Sequence, residues 1–298
     1  MFMNHTHNGV NNSMKNIGII GNGFVGSAIA TGFGLHANVK IYDADVKKAT
    51  HSFEEVINES EFIFVSVPTP MNIGESGQID LSILDDVMEN IEKVNNSKDN
   101  IIIVKSTAVP GTTLKYINRH PKLNIVFNPE FLTERTARLD FINTARIVIG
   151  TENKELSRRV KELYRDRFQA TQIIETDTQS AEFIKYMCNC FFSVKVSFMN
   201  EMYQMSSLKN LDWSTIITGF LSDGRIGNSH TDVPGHDGSF GYGGKCFPKD
   251  INGFIDYFKN NGVSPTLLEA SWNKNLEVRQ NHDWLNIEGA TSNKTKEK

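Results

Sequence analysis

The amino-acid sequence predicts an α/β fold, in which a Rossmann-type, doubly wound parallel sheet is followed by an all-helical central domain. Short apolar runs rich in β-branched residues alternate with helical segments as far as residue 177, as in parallel sheets with crossover helices. The first of these runs leads directly into a glycine-rich turn, GNGFVG, at residues 21–26. Beyond residue 178 the strand pattern stops, and apolar residues recur at helical spacing instead.

Seven short apolar runs are predicted to form the strands of this sheet. They cover residues 16–20, 38–42, 61–67, 101–104, 124–127, 146–149 and 171–174. Residues 27–35 and 80–94 are predicted as helices. In residues 80–94 the apolar side chains recur on one face.

The second half of the chain is predicted to be helical apart from one long loop. The helices cover residues 178–209, 250–260 and 265–285. The loop covers residues 222–245 and is rich in Gly, Ser and Asp.

The composition predicts a soluble globular protein and excludes several classes of function. With 31 Lys+Arg and 35 Asp+Glu among 298 residues, the net charge is −4, and the pI near 6.1 gives no basic surface for nucleic acid or an anionic membrane. The N-terminal residues lack the apolar core of a signal peptide, and no run is apolar enough to span a membrane. Three cysteines, a small and odd number, fit a reducing compartment. We therefore expect a cytoplasmic protein.

The glycine-rich turn predicts a dinucleotide site. In the pattern G-x-G-x-x-G, Gly21 allows a tight turn, Gly23 lets a pyrophosphate approach the backbone, and Gly26 lets the helix pack against the strand. Asp43 ends the second predicted strand, where a carboxylate binds a ribose and disfavours a 2′-phosphate, so NAD is predicted over NADP. The alternative is a plain tight turn beside a solvated aspartate. The predicted cofactor contacts here are Gly21, Gly23, Phe24, Val25, Gly26 and Asp43.

Polar residues follow three other predicted strands, at the carboxyl ends where open α/β sheets bind ligands. Pro68 and Thr69 follow the third strand, Thr107 follows the fourth, and Glu130 follows the fifth. Glu134 comes four residues after Glu130, so both carboxylates are expected to face one cleft if this segment is helical.

The segment FGYGGKCFPKD, residues 240–250, predicts a reactive cysteine next to a glycine-rich, ligand-closing loop. Cys246 lies among Lys245, Lys249 and Asp250, and nearby cations are expected to lower the pKa of its thiol. One alternative is a buried, inert cysteine. Another is a zinc site with two histidines of the preceding loop, but the spacing matches no standard ligand pattern, so no metal is expected.

Taken in chain order, these motifs resemble those of the UDP-glucose/GDP-mannose dehydrogenase family of nucleotide-sugar dehydrogenases. The motifs are GNGFVG, VPTP, KST, NPEFLTE, a helix with Lys185 and Asn189, GRIG at 224–227, and GYGGKCFPKD. The predicted domains are a flexible tail at 1–14, an NAD-binding Rossmann domain at 15–177, a helical central and substrate domain at 178–263, a linking helix at 264–286 and a flexible tail at 287–298.

The resemblance implies a four-electron oxidation of a nucleotide sugar, in which two NAD molecules convert a primary alcohol to an aldehyde and then to a carboxylate. By this analogy Cys246 attacks the aldehyde to form a thiohemiacetal, which is oxidised to a thioester and then hydrolysed. The implied roles are nucleophile for Cys246, oxyanion stabilisation for Lys185 and Asn189, proton transfer for Asp250, and acid/base catalysis of hydrolysis for Glu130, with Thr107 holding the water.

The resemblance also implies further contacts. At the cofactor these are Pro68, Thr69, Thr107, Glu134 and Lys249. At the substrate these are Glu130, Phe131, Leu132, Lys185, Asn189, Arg225, Phe240, Gly241, Tyr242 and Gly243.

The family helps to define the expected partners. Its linking helix takes part in a dimer, so a homodimer is expected. Its members carry a second Rossmann-like domain after that helix, whereas this sequence ends at Lys298, so the nucleotide site is expected to lack one wall. Three explanations are possible. A separate chain supplies this domain, or the chain is a short enzyme with weak substrate binding, or it is an inactive remnant.

Several functions stay open at this point. UDP-glucose is the leading substrate, and GDP-mannose or a UDP-N-acetylhexosamine would fit the same chemistry. A non-catalytic NAD-binding subunit that needs a partner chain is a different class. A β-hydroxyacid dehydrogenase, which shares the early Rossmann half and needs no cysteine, is a more distant alternative.

Overall fold

A computed structural model describes residues 14–73 and 77–293 and shows one seven-stranded sheet in the order β2-β1-β3-β5-β6-β7-β8. Two further short strands, β4 and β9, pair with each other. The strands are β1 Lys15–Ile20, β2 Ala37–Tyr42, β3 Phe62–Val65, β4 Met71–Asn72, β5 Ile101–Val104, β6 Asn124–Phe127, β7 Arg146–Gly150, β8 Gln172–Thr176 and β9 Thr291–Ser292.

All seven predicted strands are present in the large sheet, which is mainly but not wholly parallel. β6 and β7 pair in the antiparallel sense through Phe127 and Gly150, whereas β7 and β8 are parallel to each other. The last residue of β6 pairs with the last residue of β7, so in this antiparallel pair the earlier residues of β7 lie beyond the carboxyl end of β6. There the Asn128 amide donates to the Val148 carbonyl at 2.5 Å. This reversal places part of β7 beside the residues that follow β6.

Ten α-helices surround and follow the sheet in the described residues, with short 3-10 turns at Glu134–Thr136 and Asp283–Leu285. The helices are α1 Phe24–Phe33, α2 Phe53–Asn58, α3 Ser82–Val94, α4 Thr112–Arg119, α5 Ala137–Ile142, α6 Lys154–Arg167, α7 Thr178–Leu208, α8 Trp213–Leu221, α9 Phe247–Asn260 and α10 Thr266–Val278. Five of them, namely α2, α4, α5, α6 and α8, were not predicted from the sequence. In α6 a signal was available, because Asn153 caps the helix and apolar side chains recur on its buried face.

The core forms because alternate residues along each strand face opposite sides of the sheet. Phe62 and Phe64 of β3 pack in a cluster with α1, α5 and α6. Their neighbours Ile63 and Val65 pack in a second cluster with α2, α3 and α4. Both faces of the sheet are therefore covered by helices, as the doubly wound prediction requires.

The helix α7, 31 residues long, joins the sheet to the helical half. It contacts β7 and α4 on the sheet side and α9 and α10 on the other. Near its start, the fully buried Glu182 accepts hydrogen bonds from the backbone N–H groups of Gly111 (2.6 Å) and Thr113 (2.7 Å) and from the Thr113 hydroxyl, so it caps the first turn of α4. Burial raises the pKa of Glu182 to about 7. These contacts fix the direction of α7 relative to the sheet.

The end of the described chain differs from the prediction. The last long helix stops at Val278 instead of continuing to residue 285. The predicted tail at 287–298 is folded in its first part, because Ala290 is buried against Met71 and Trp284, and β9 pairs with β4. Sequence reasoning missed this pairing because a two-residue strand carries no periodic signal. Residues 1–13 of the predicted N-terminal tail and residues 294–298 lie outside the described residues. In the described part of the chain, no helix is long and apolar enough to cross a membrane.

Candidate active site

The glycine-rich turn has the backbone geometry expected of a dinucleotide site. Gly21 has a φ of 90°, a value that favours glycine. A Cβ at Gly26 would collide with the Gly21 carbonyl oxygen, so α1 can pack this closely only with glycine there. A Cβ at Gly23, the N-cap of α1, would meet no atom within 4 Å, so the turn is open at the point where a pyrophosphate would approach.

Asp43 is held at this turn by the backbone. Its Oδ2 accepts from the N–H of Asn22 at 2.6 Å, and its Oδ1 accepts from the N–H of Asp45 at 2.8 Å. The carboxylate therefore lies beside the glycines, where a ribose of a bound dinucleotide would need it. The side chains of Phe24 and Val25 pack against the core, so only their backbone N–H groups are available to an anion.

The loops that follow β3, β5 and β6 contain the other predicted polar residues. The two glutamates among them have different surroundings. The Thr69 hydroxyl donates to the Thr107 carbonyl at 2.8 Å and ties two of these loops together, while Pro68 beside it is exposed. Glu130 is buried and turned toward α7, whereas Glu134 is exposed and lines a groove with Phe24 of α1. The shared cleft was expected only if this segment is helical, and residues 130–133 are not helical.

Buried charges gather around Cys246, which is the N-cap of α9. On α7, Lys185 forms an ion pair with Glu130 at 2.8 Å, and Asn189 one turn later donates to Asp250 Oδ2 at 2.5 Å. Asp250 is one turn into α9, and its second oxygen accepts from Lys249. Lys185 and Asp250 are 3% and 1% exposed, so little water screens these charges.

The thiol in this cluster is protonated at neutral pH. Burial, and then the carboxylates of Glu130 and Asp250, raise the pKa of Cys246 to about 12, although Lys185 and Lys249 oppose this. The prediction of a lowered pKa is therefore wrong, because the lysines near Cys246 in sequence are outweighed by desolvation and by carboxylates. Although burial opposes it, Glu130 and Asp250 hold the pKa of Lys185 above its ordinary value, so this side chain stays a cation.

The glycine-rich loop before Cys246 is clamped by the end of α10. The side chain of Asn275 accepts from the N–H of Tyr242 at 2.7 Å and donates to its carbonyl at 3.0 Å. Arg279, 2% exposed, donates to the carbonyl of Phe240 and pairs with Asp237 at 2.7 Å. Sequence reasoning missed Asn275 and Arg279, since their partners lie more than 30 positions away.

The remaining predicted substrate residues differ in their accessibility. Phe240 is half-exposed, but the Tyr242 ring is buried among aromatic side chains, and both polar backbone groups of Tyr242 bond to Asn275. Gly241 has a φ of 68° and its N–H donates to Asn200, while a Cβ at Gly243 would collide with Arg279 and Asp283.

Three further predicted substrate residues, Phe131, Leu132 and Arg225, have different surroundings. The Leu132 N–H donates to the second oxygen of Glu130 at 2.6 Å, and the Phe131 ring lies 4.0 Å from the guanidinium of Arg146. Arg225 is exposed and pairs with Asp223 in its own loop. Within the described residues, no contact between Arg225 and the Cys246 cluster is seen.

A Rossmann-type sheet with this turn is typical of dinucleotide-binding proteins. Residues 39–168 match the NAD binding domain of the UDP-glucose/GDP-mannose dehydrogenase family, and residues 179–277 match its central domain. The chain belongs to this family, and its cofactor is NAD.

The relatives support the same family. UDP-glucose 6-dehydrogenase of Rickettsia bellii is 34% identical over 235 residues, which cover 77% of this chain and 52% of that protein. UDP-glucose 6-dehydrogenase YwqF of Bacillus subtilis is 31% identical over 253 residues, which cover 82% and 55%. The solved UDP-glucose dehydrogenase of the archaeon Pyrobaculum islandicum superposes with a TM-score of 0.79 at 24% identity, over 90% of this chain and 69% of that one, which shows a shared fold. The chain spans about half the length of the curated relatives it matches.

Two glycines of the turn should respond differently to alanine. Gly23→Ala adds a methyl group in open space, so we expect an unchanged melting temperature. The Kd for NAD should rise by about tenfold or more, a loss of ~1.4 kcal/mol in binding free energy, because the methyl group stands where the pyrophosphate would approach. Gly26→Ala should lower the melting temperature, because its methyl group collides with the Gly21 carbonyl. Calorimetric titration with NAD and thermal unfolding measure both effects. Normal NAD binding by Gly23→Ala would exclude this turn as the pyrophosphate site.

The thiol should react slowly and respond to its charged neighbours. Because burial and two carboxylates raise the pKa of Cys246 to about 12, very little of it is a thiolate at pH 8. We expect Asp250→Asn to increase the rate of alkylation by iodoacetamide and Lys185→Met to decrease it, because the two changes remove opposite charges. The rate is read by mass spectrometry of the Cys246 peptide. Asp256→Asn, the same change farther along α9, is the matched control and should leave the rate unchanged, and equal rates in all variants would contradict the charge assignment.

Proposed function

We propose that the chain is an NAD-dependent nucleotide-sugar dehydrogenase that oxidises UDP-glucose to UDP-glucuronate. The observation that carries this proposal is the buried cluster of a thiol, two ammonium groups, a carboxamide and two carboxylates around Cys246. The overall reaction consumes the alcohol, two NAD and one water, and yields the carboxylate, two NADH and three protons. NAD, when bound, accepts the hydride in each oxidation. Gly21, Gly23, Gly26 and Asp43 would hold it.

In this proposal the protein must both form and break a bond to sulfur. The sulfur of Cys246 bonds to the carbonyl carbon of the aldehyde, and the thiol proton leaves as the thiohemiacetal forms. Lys185 and Asn189 face this site from one side of α7 and stabilise the charge that develops on the substrate oxygen. Because the thiol pKa is high, this step needs a proton acceptor, and Asp250, one turn along α9, is the proposed one.

Hydrolysis of the thioester completes the proposed reaction. Water attacks the acyl carbon, the carbon–sulfur bond breaks, and the thiolate takes a proton. Glu130 is the proposed acid/base for this step, with Thr107 holding the water. Both oxygens of Glu130 are already oriented, one by Lys185 and one by the Leu132 N–H, so its position is defined without a ligand.

The choice of UDP-glucose rests on the relatives, since both curated proteins described above are named as UDP-glucose 6-dehydrogenases. GDP-mannose or a UDP-N-acetylhexosamine fits the same chemistry. A non-catalytic NAD-binding subunit that needs a separate chain is the second class of function.

The proposal predicts two NADH for each UDP-glucose consumed. Cys246→Ser should fail to complete the second oxidation, because a serine hydroxyl is a far weaker nucleophile than a thiolate. Cys188→Ser is the matched control and should retain the stoichiometry. NADH is followed by absorbance, and the sugar nucleotide is followed by chromatography.

The opposite outcomes separate the alternatives. Turnover of GDP-mannose or a UDP-N-acetylhexosamine alone would change the substrate and keep the chemistry. NAD binding without turnover of any of these sugars would favour the subunit that needs a partner chain. Full activity of Cys246→Ser on UDP-glucose would exclude the thioester mechanism.

We also propose that the chain acts as a homodimer. An exposed apolar stripe runs along α7, and it consists of Met187, Phe191, Phe198, Met202 and Met205. The adjacent helix α8, WSTIITGFL, buries none of its residues in its own chain. A second copy related by a twofold axis would cover both helices, because a stripe on one long helix can pack against itself.

The dimer predicts a solution mass of twice the 33.5 kDa chain by light scattering. Phe191→Glu should shift the mass toward the monomer, because it buries a charge in the proposed contact. Leu35→Glu, at an exposed position just after α1, is the control and should leave the dimer intact. A monomeric wild-type chain at micromolar concentration would contradict the proposal.

A further inference from the structure

A third lysine, which is not among the predicted site residues, is buried next to the segment that precedes Glu130. Lys105 is the first residue after β5 and is 5% exposed. The pairing of Val104 with Phe127 places it beside the residues that follow β6. Within residues 14–73 and 77–293, Lys105 forms no ion pair. A buried ammonium group without a direct carboxylate partner is costly, so its position calls for an explanation.

Lys105 holds the chain immediately before Glu130. Its ammonium group donates to Asn128 Oδ1 at 3.0 Å and to the Pro129 carbonyl at 3.3 Å. Asn128 is also fixed by the hydroxyl of Tyr164 and by its own bond to the Val148 carbonyl. Glu130, the next residue, therefore extends from a backbone segment that these hydrogen bonds hold in place.

The pKa of Lys105 lies near neutral pH. Burial lowers the pKa of Lys105 to about 7; the carboxylate of Glu130 raises it and the ammonium of Lys185 lowers it further. Tyr164, the other group that meets Asn128, stays a neutral phenol because burial raises its pKa. Lys105 is thus charged below pH 7 and loses this charge as the pH rises through 7.

We propose that Lys105 is a positioning residue of this site: it fixes the Asn128–Pro129 segment that carries Glu130 and adds a buried positive charge beside that carboxylate. The consequence for turnover rests on the proposed function, in which Glu130 assists thioester hydrolysis. The electrostatic coupling between Lys105 and Glu130 does not depend on that function, and it can be measured without any substrate.

The first experiment follows the titration of Lys105 in protein labelled with ¹³C at lysine Cε. The resonance is assigned by its loss in Lys105→Met, or in Lys105→Arg if the methionine variant does not fold. We expect a midpoint near 7 in the wild type, and a midpoint lower by about one unit in Glu130→Gln, because the carboxylate no longer favours the ammonium form. Tyr164→Phe removes the neighbouring bond to Asn128 but no charge, so it should leave the midpoint unchanged. A midpoint near 10, or no shift in Glu130→Gln, would overturn the proposal.

The second experiment compares turnover across pH. Arginine keeps its charge at all accessible pH values, so the ratio of Lys105→Arg to wild-type kcat should rise above pH 7. Lys105→Met should lower kcat by about tenfold or more at every pH, without the step near 7. A merely structural role predicts the same loss for Tyr164→Phe and a flat ratio for Lys105→Arg, and that result would also overturn the proposal. If the wild type turns over no nucleotide sugar, the proposed function fails and the titration alone decides the role of Lys105.

Discussion

The ion pair between Lys185 and Glu130 joins the two halves of the molecule at the point where the chemistry is proposed. Glu130 belongs to the edge of the sheet, and Lys185 belongs to the long helix that carries the helical half. Both side chains are almost fully buried, so removing one would leave an uncompensated charge at a cost of about 3–5 kcal/mol. The contact therefore sets the distance between α7 and the strand ends, and with it the position of Asn189 one turn later.

Burial gives this cluster its chemical character. In water, two lysines beside a cysteine would favour the thiolate, but here desolvation and two carboxylates favour the neutral thiol. The same surroundings keep Lys185 charged, since its carboxylate partners outweigh the cost of burial. The result is a buried cysteine that is kept as the neutral thiol next to a lysine that stays charged. A site of this kind limits unwanted oxidation of the cysteine, because the thiolate is the reactive species.

The sequence predicted what depends on local pattern. All seven strands of the main sheet, the turn at Gly21 and the long helix α7 were visible in residue order, because each has its own spacing. Features that depend on contacts between distant residues were not visible. The influence of Glu130 on Cys246, the clamp formed by Arg279, and the bonds of Lys105 all join positions far apart in the chain. The reversed direction of β7 also had no sequence signal, since parallel and antiparallel buried strands have the same apolar pattern.

The pairing of β4 with β9 brings the end of the described chain back from the helical half to the sheet half. The chain passes from the sheet to the helical half through α7, and residues 279–293 return to the sheet half after clamping the glycine-rich loop. The glycine-rich loop is fastened to residues 279–293 through Asp283, and the segment after Pro68 is fastened to them through β9. A shift of this return segment would therefore move the loop that precedes Cys246 and the segment after Pro68 together.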